Sequence, residues 1–205
     1  MNELFGRTNR AFPDPWLSLR LPDDPAETQA LTNEAAKSGL PLDVTHAASV
    51  WGAHLPAETG PLIAFLGSDY ALARTRDDAC DLLSAQIVQV LSCLLGRRFT
   101  FLFLPVNGPV QEFQFDGALQ ALETARQDGL TEFTGISCEG NPFDTLSIWQ
   151  FRDAFEALCV HDHEALHTLR PLAEQRRVGI LTTFESQDTQ LIPVGQVRQS
   201  GVLTP

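Results

Sequence analysis

The chain has 205 residues, 43% hydrophobic and 20% charged, a make-up suited to one domain with a substantial buried core. Its 14 basic side chains against 26 acidic ones give a formal net charge of -12, which repels phosphate backbones and anionic lipid heads and argues against nucleic acid and membrane as partners. No stretch reaches the ~20 apolar residues of a spanning helix, and the start "MNELFGRTNR" lacks the apolar centre of a signal peptide, so a cytoplasmic protein is expected.

In chain order, "WLSLRL" (Trp16 to Leu21) reads as a strand. "DPAETQALTNEAAKSG" follows as a helix with an Asp cap, a Pro in its first turn and Gly39 as its stop. "LPLDVTH" is a second strand and "PLIAFLG" a third. "RDDACDLLSAQIVQVLSCLLG" is a long helix with acids in its first turn and Gly96 at its end. "FTFLFLPV" is almost wholly apolar, as a parallel strand buried on both faces must be.

The alternation continues with the helix "FDGALQALETARQDG", the strand "FTGIS", the helix "PFDTLSIWQFRDA", the strand "EALCV", the helix "HEALHTLRPLAEQRR" and the strand "VGILTTF". About seven strands with helices between them predict an α/β domain over residues 1–205, either a (β/α) barrel or an open parallel sheet.

Four cysteines, Cys80, Cys93, Cys138 and Cys159, stand far apart with no Cys-x-x-Cys pair, which points to reduced core thiols. Lys37 is the single lysine, which weakens any mechanism needing a catalytic amine.

Several segments together resemble the aldo-keto reductase family, (β/α)8 barrels that pass a hydride from NADPH to a carbonyl. "LFGRTN" is similar to that family's Leu-Gly-Arg-Thr-Gly start, and "EAAKSGLPLDVTHAASVWG" to its first helix, second strand and Asp-Thr-Ala-x-x-Tyr-Gly loop. "LLGRRFTFLFLPV" lies without gaps on Leu-Gly-x-Asp-Tyr-Ile-Asp-Leu-Tyr-Leu-Ile-His. "ALQALETARQDGLTEFTGIS" matches a helix and the Gly-Val-Ser-Asn strand, and "GVLTP" resembles Gly-Leu-Leu-Thr-Gly after the seventh strand. The resemblance implies a TIM-type barrel of about seven strands, lacking the family's C-terminal strand and the segment that grips the adenosine phosphate.

Carried over by position, the resemblance implies that the family's catalytic residues are replaced. The family Asp falls on His46, with Asp43 as the other acid within reach, and the family Tyr on Trp51, whose indole N–H is no general acid at neutral pH. The family Lys falls on Phe65 or Leu66 and the family His on Val106. For the cofactor, Ser137 keeps a nicotinamide-binding serine, while its neighbouring Asn becomes Cys138.

"VHDHEALH" concentrates three of the five histidines, and in a strand His161 and His163 point to one side, where they would ligate a divalent metal; alternatively Asp162 caps a helix in a polar loop. Trp51, Phe101 and Phe103 suggest an aromatic pocket or, more simply, core packing. Arg97-Arg98 and Arg176-Arg177 read as helix ends.

The expected function is a barrel that no longer performs NADPH-dependent carbonyl reduction, needs no cofactor, and binds a small molecule or protein partner in a regulatory role. Two other readings stand beside it: an atypical NAD(P)H-dependent oxidoreductase using Asp43 or His46, and a metal-dependent hydrolase or lyase using His161 and His163. Without an eighth strand the first and last strands are unpaired, so either the tail from Gln187 to Pro205 covers them or two chains meet there as a homodimer.

Overall fold

Strands follow one another around a closed barrel in the order of the chain, β1 to β8. The computed structural model describes residues 4–12, 16–19, 30, 33, 34, 37, 39–45, 48–55, 59–182 and 191–198. The strands are β1 (Trp16–Leu19), β2 (Leu42–Asp43), β3 (Leu62–Phe65), β4 (Phe99–Val106), β5 (Thr131–Cys138), β6 (Ala157–Val160), β7 (Gly179–Thr182) and β8 (Leu191–Arg198). The first seven run parallel, each paired with the next.

The helices are α1 (Ala48–His54), α2 (Arg76–Cys93), α3 (Glu112–Gln127), α4 (Pro142–Trp149) and α5 (His163–Gln175). Residues 30, 33, 34 and 37 are helical too, within the helix read between the first two strands. None of the described helices is long and apolar enough to cross a membrane.

The seven parallel strands agree with the sequence reading, and among the described residues no parallel eighth strand follows them. β8 instead runs antiparallel to both neighbours, Leu191 opposite Leu19 on β1 and Gln196 opposite Thr182 on β7. Residues 191–198 of the tail therefore pair with both β1 and β7 and close the opening between them. The backbone groups that an open barrel would strand are satisfied by this ladder.

Side chains on the parallel strands alternate between two cores. Leu62, Ala64, Leu102, Leu104, Val106, Ile136, Leu158 and Val160 turn outward to meet the helices. Ile63, Phe65, Phe101, Phe103, Phe133, Ala157, Cys159 and Leu181 turn inward and fill the barrel. β4 is buried along its whole length, which explains its unbroken apolar run.

The helices are placed by their caps. Thr75 accepts a hydrogen bond from the Asp78 amide at 3.1 Å to start α2. Gln111 and Gln114 form a reciprocal cap for α3, and the Gln114 amide also donates to the carbonyls of Ala71 and Ala73 at 2.8 Å each. Asn141 caps α4 with Pro142 behind it, and Asp162 caps α5 by accepting from the Ala165 amide at 2.7 Å. Arg176 closes α4 by donating to the carbonyls of Trp149, Gln150 and Arg152.

The floor of the barrel is plugged by the N-terminal segment. Phe5 meets Phe12 and Phe101 edge-on at 5.8 and 5.7 Å, and Phe12 meets Phe101 at 5.3 Å. Gly179 lets Phe5 in, since a Cβ there would stand 2.6 Å from its ring. Arg10 pairs with Glu132, and Arg98 reaches the same carboxylate at 3.2 Å.

Candidate functional site

In a barrel of this build, side chains that can act on a ligand gather at the C-terminal ends of the strands. Asp43 ends β2 with only 7% of its surface exposed. Its Oδ1 accepts from the Thr45 amide at 2.9 Å and from the Thr45 hydroxyl at 2.5 Å, while that hydroxyl accepts from the Phe65 amide at 2.7 Å. Oδ1 thus serves as the acceptor for both donors of Thr45.

Phe65 ends β3 and stacks on Phe103 with centroids 4.7 Å apart and planes 18° apart. Phe103 is fully buried and lies on the bare Cα of Gly135 in β5. Phe65 is itself half-buried, with its second face turned away from this stack. The sequence places the family's lysine on Phe65 or Leu66; Phe65 faces inward, whereas Leu66 belongs to the helix-facing core.

Val106 also packs in the helix-facing core, so the position laid on the family's histidine points away from the mouth. Alternation from Phe103 makes Pro105 the inward residue at this end of β4.

Across the mouth, Ser137 of β5 is fully buried, and its hydroxyl lies 3.3 Å from Nε2 of His161. His161 follows β6, is exposed as a whole residue, and has its ring settled against the rim, where desolvation lowers its pKa and neighbouring Asp162 partly counters this. Opposite Ser137 on β6, Cys159 is fully buried, and burial pushes its thiol far up. The Ser137 hydroxyl opposes this shift, and the carboxylates of Glu139 and Asp43 add to it.

Cys138 points the other way, into the helix-facing core, where its thiol is directed to the Gly140 carbonyl at 3.6 Å. Ser137 and Cys138, adjacent in sequence, thus face different layers. His163 begins α5 and is exposed; it does not share a strand face with His161, because β6 ends at Val160 and Asp162 is the cap. Among the described residues no group of three or more His, Cys, Asp or Glu side chains is placed to hold a metal ion.

His46 lies outside the described residues. Trp51 falls in α1, so the segment resembling a family loop is helical over Ala48–His54. Phe101 and Phe103 are core residues of the barrel, in line with the simpler reading of the aromatics.

Nothing in the sequence pattern marks the position of Tyr70. Tyr70 is the chain's single tyrosine, fully buried, with its hydroxyl donating to the Pro105 carbonyl at 2.7 Å. Burial raises its pKa, with Glu139 adding to the shift. Neither it nor the exposed Lys37 is offered to the mouth.

No protein-family model and no curated protein match the chain. Solved structures do. An aldo-keto reductase from Bacillus halodurans in its holo form superposes with a TM-score of 0.71 at 14% identity, covering 88% of this chain and 64% of that one. An aldo-keto reductase from Klebsiella pneumoniae in complex with NADPH gives 0.67 at 15% identity, covering 88% and 66%. The aldose reductase from Schistosoma japonicum gives 0.64 at 13% identity, covering 89% and 69%. The chain thus spans about two thirds of the length of these proteins. The seven parallel strands, the helices outside them and these superpositions together give the chain the fold of the aldo-keto reductases.

Proposed function

We propose that this chain is a non-reducing barrel of the aldo-keto reductase fold that binds a small molecule at its mouth. The observation that carries the reading is Phe65 stacked on Phe103 at the inward position where a reductase of this fold keeps its lysine. Reduction of a carbonyl needs a proton donor within hydrogen-bond reach of the developing alkoxide. Among the described residues, Phe65 supplies none, Oδ1 of Asp43 is taken up by Thr45, and the Tyr70 hydroxyl is committed to Pro105.

NADPH, which one of the similar structures contains, fits these residues poorly. Ser137 has its hydroxyl beside His161, and Cys138 faces the helices. A mouth with an aromatic surface, a carboxylate and a Ser–His pair retains what recognition requires: apolar area and a few polar groups of fixed direction.

The test is turnover of a broad aldehyde and ketone panel with NADPH and NADH. No turnover above the protein-free rate is expected. Turnover that disappears in Asp43→Asn would overthrow the reading.

A further inference from the structure

We propose that two copies of this chain associate through the solvent face of α2 and its C-terminal turn, antiparallel and about a twofold axis between Val88 and Gln89. The contact lies on the outside of the barrel and is independent of what the mouth binds.

From Leu82 to Gly96 the sequence has no charged residue, although 20% of the chain is charged. The helical period divides this stretch into two faces. Leu83, Ile87, Leu91 and Leu94 are buried against the barrel. Leu82, Ala85, Val88, Gln89, Ser92 and Leu95 are exposed, Val88 at 60% and Leu95 at 78%. The other long helices differ, since Glu123 and Arg126 pair on the exposed side of α3 and Arg170 and Glu174 on that of α5.

The two ends of the uncharged face complement each other. At its start, α2 and the short turn Asp69–Leu72 border a groove of about 450 Å³ with apolar walls from Leu72, Ala73, Leu82 and Ala85. Arg74, Asp78 and Asp81 also line it and leave it net negative. At its end, Leu95 stands on a backbone with φ of 57°, a region in which leucine is strained and where Gly or Asn is usual after a helix. Leu82 and Leu95 lie about 20 Å apart along the helix. A twofold axis between Val88 and Gln89 brings Leu95 of each copy to Leu82 and the groove of the other. It also sets Ala85 opposite Ser92, where small side chains let the helices approach closely.

Charge selects a second copy as the occupant. Two chains of net charge -12 repel each other, and an uncharged face is where they can meet. The antiparallel arrangement then sets Asp78 and Asp81 of each copy beside Arg98 of the other, so that both ends of the contact join opposite charges, whereas a parallel one sets like against like. Arg98 is 69% exposed, with Glu132 of its own chain 3.2 Å away. A contact of this length falls short of the ~800 Å² per partner of stable complexes, so the dimer is weak, with a dissociation constant on the order of 10–100 μM.

Sedimentation velocity of the full chain, at concentrations on either side of that constant, should pass from monomer to dimer and no further. Val88→Glu, outside the core, should weaken association about tenfold or more. Leu95→Asn, which suits the left-handed backbone, should weaken it several-fold without lowering the melting temperature of the dilute monomer. Asp81→Arg and Arg98→Glu should each weaken self-association, and an equimolar mixture of the two should recover it, because one end of the mixed pair joins the two reversed charges and the other end the two original ones. Melting curves establish that each variant is folded before it is scored. A chain that stays monomeric throughout, leaving the face to a different partner, a dimer that survives Val88→Glu, assembly beyond the dimer, or a mixture that fails to recover association would each overturn the proposal.

Discussion

Phe103 lies so close over Gly135 that a Cβ added to the glycine would stand 2.4 Å from two of its ring carbons. The contact lies between register partners on the adjacent strands β4 and β5 and supports Phe65 beside it. Gly135→Ala must displace a fully buried ring among close-packed neighbours, a change that typically costs about 1–3 kcal/mol. Urea unfolding should show the loss, and the near-ultraviolet circular dichroism of the phenylalanine stack should change. An unaltered midpoint would mean that the ring has room to move.

Deletion of residues 183–205 removes β8 and with it both antiparallel ladders. Buried backbone groups left without partners cost on the order of 1–3 kcal/mol each, and two bare apolar strands template aggregation. The shortened chain is expected to precipitate or to elute as large assemblies. A soluble monomer with the parent's melting temperature would show that β8 contributes little.

The four thiols divide into two classes. Cys80 and Cys93 are half-buried on α2, whereas Cys138 and Cys159 are buried and held protonated by desolvation. Thiolate is the reactive species, so a disulfide reagent at pH 8 should label Cys80 and Cys93 first and reach the other pair only on unfolding. Rapid labelling of Cys159 in the folded protein would contradict its placement inside the barrel.

Acid should weaken the fold through His161. Its pKa in the folded protein lies below the ordinary histidine value, so between the two values the unfolded chain binds more protons. Stability is then complete above the unfolded value of about 6.5 and declines as the pH falls below it, until the folded form is protonated as well. An NMR titration should give His161 a midpoint below those of freely exposed histidines, and His161→Gln should flatten this part of the stability profile. A midpoint above the ordinary value would reverse the sign.

The parts of the fold that were legible in the sequence are those where one physical demand dominates. "FTFLFLPV" matches β4 residue for residue because burial on both faces leaves room only for apolar side chains. Asp162 marks a helix start because unsatisfied amides there need an oxygen.

Where two demands compete, the reading falls short. "LPLDVTH" promises a long strand, yet β2 is Leu42–Asp43, because the Thr45 side chain takes the Phe65 amide that a continuing ladder would use. The plug formed by Phe5 and Phe12 has no periodicity to betray it. The direction of β8 is silent for a similar reason, since an apolar run reads alike from either end.

At the site, Asp43, Ser137 and His161 were visible as residue types, but their roles depend on which way each side chain turns. Val106 illustrates the difficulty: a motif aligned by position places it at the mouth, while the two-residue period of the strand turns it to the helices.

The reversed course of β8 also decides where the chain leaves the barrel. A parallel eighth strand would begin at the floor and end at the mouth; β8 begins level with Leu19 at the mouth end of β1, and Arg198 lies deeper than Thr182, opposite Ile180. Whatever is joined beyond residue 198 sets out from the side where Phe5 sits. A surface tether or fluorescent label attached there would hold the protein by its base with the opening free, a practical orientation for capture measurements on immobilised protein.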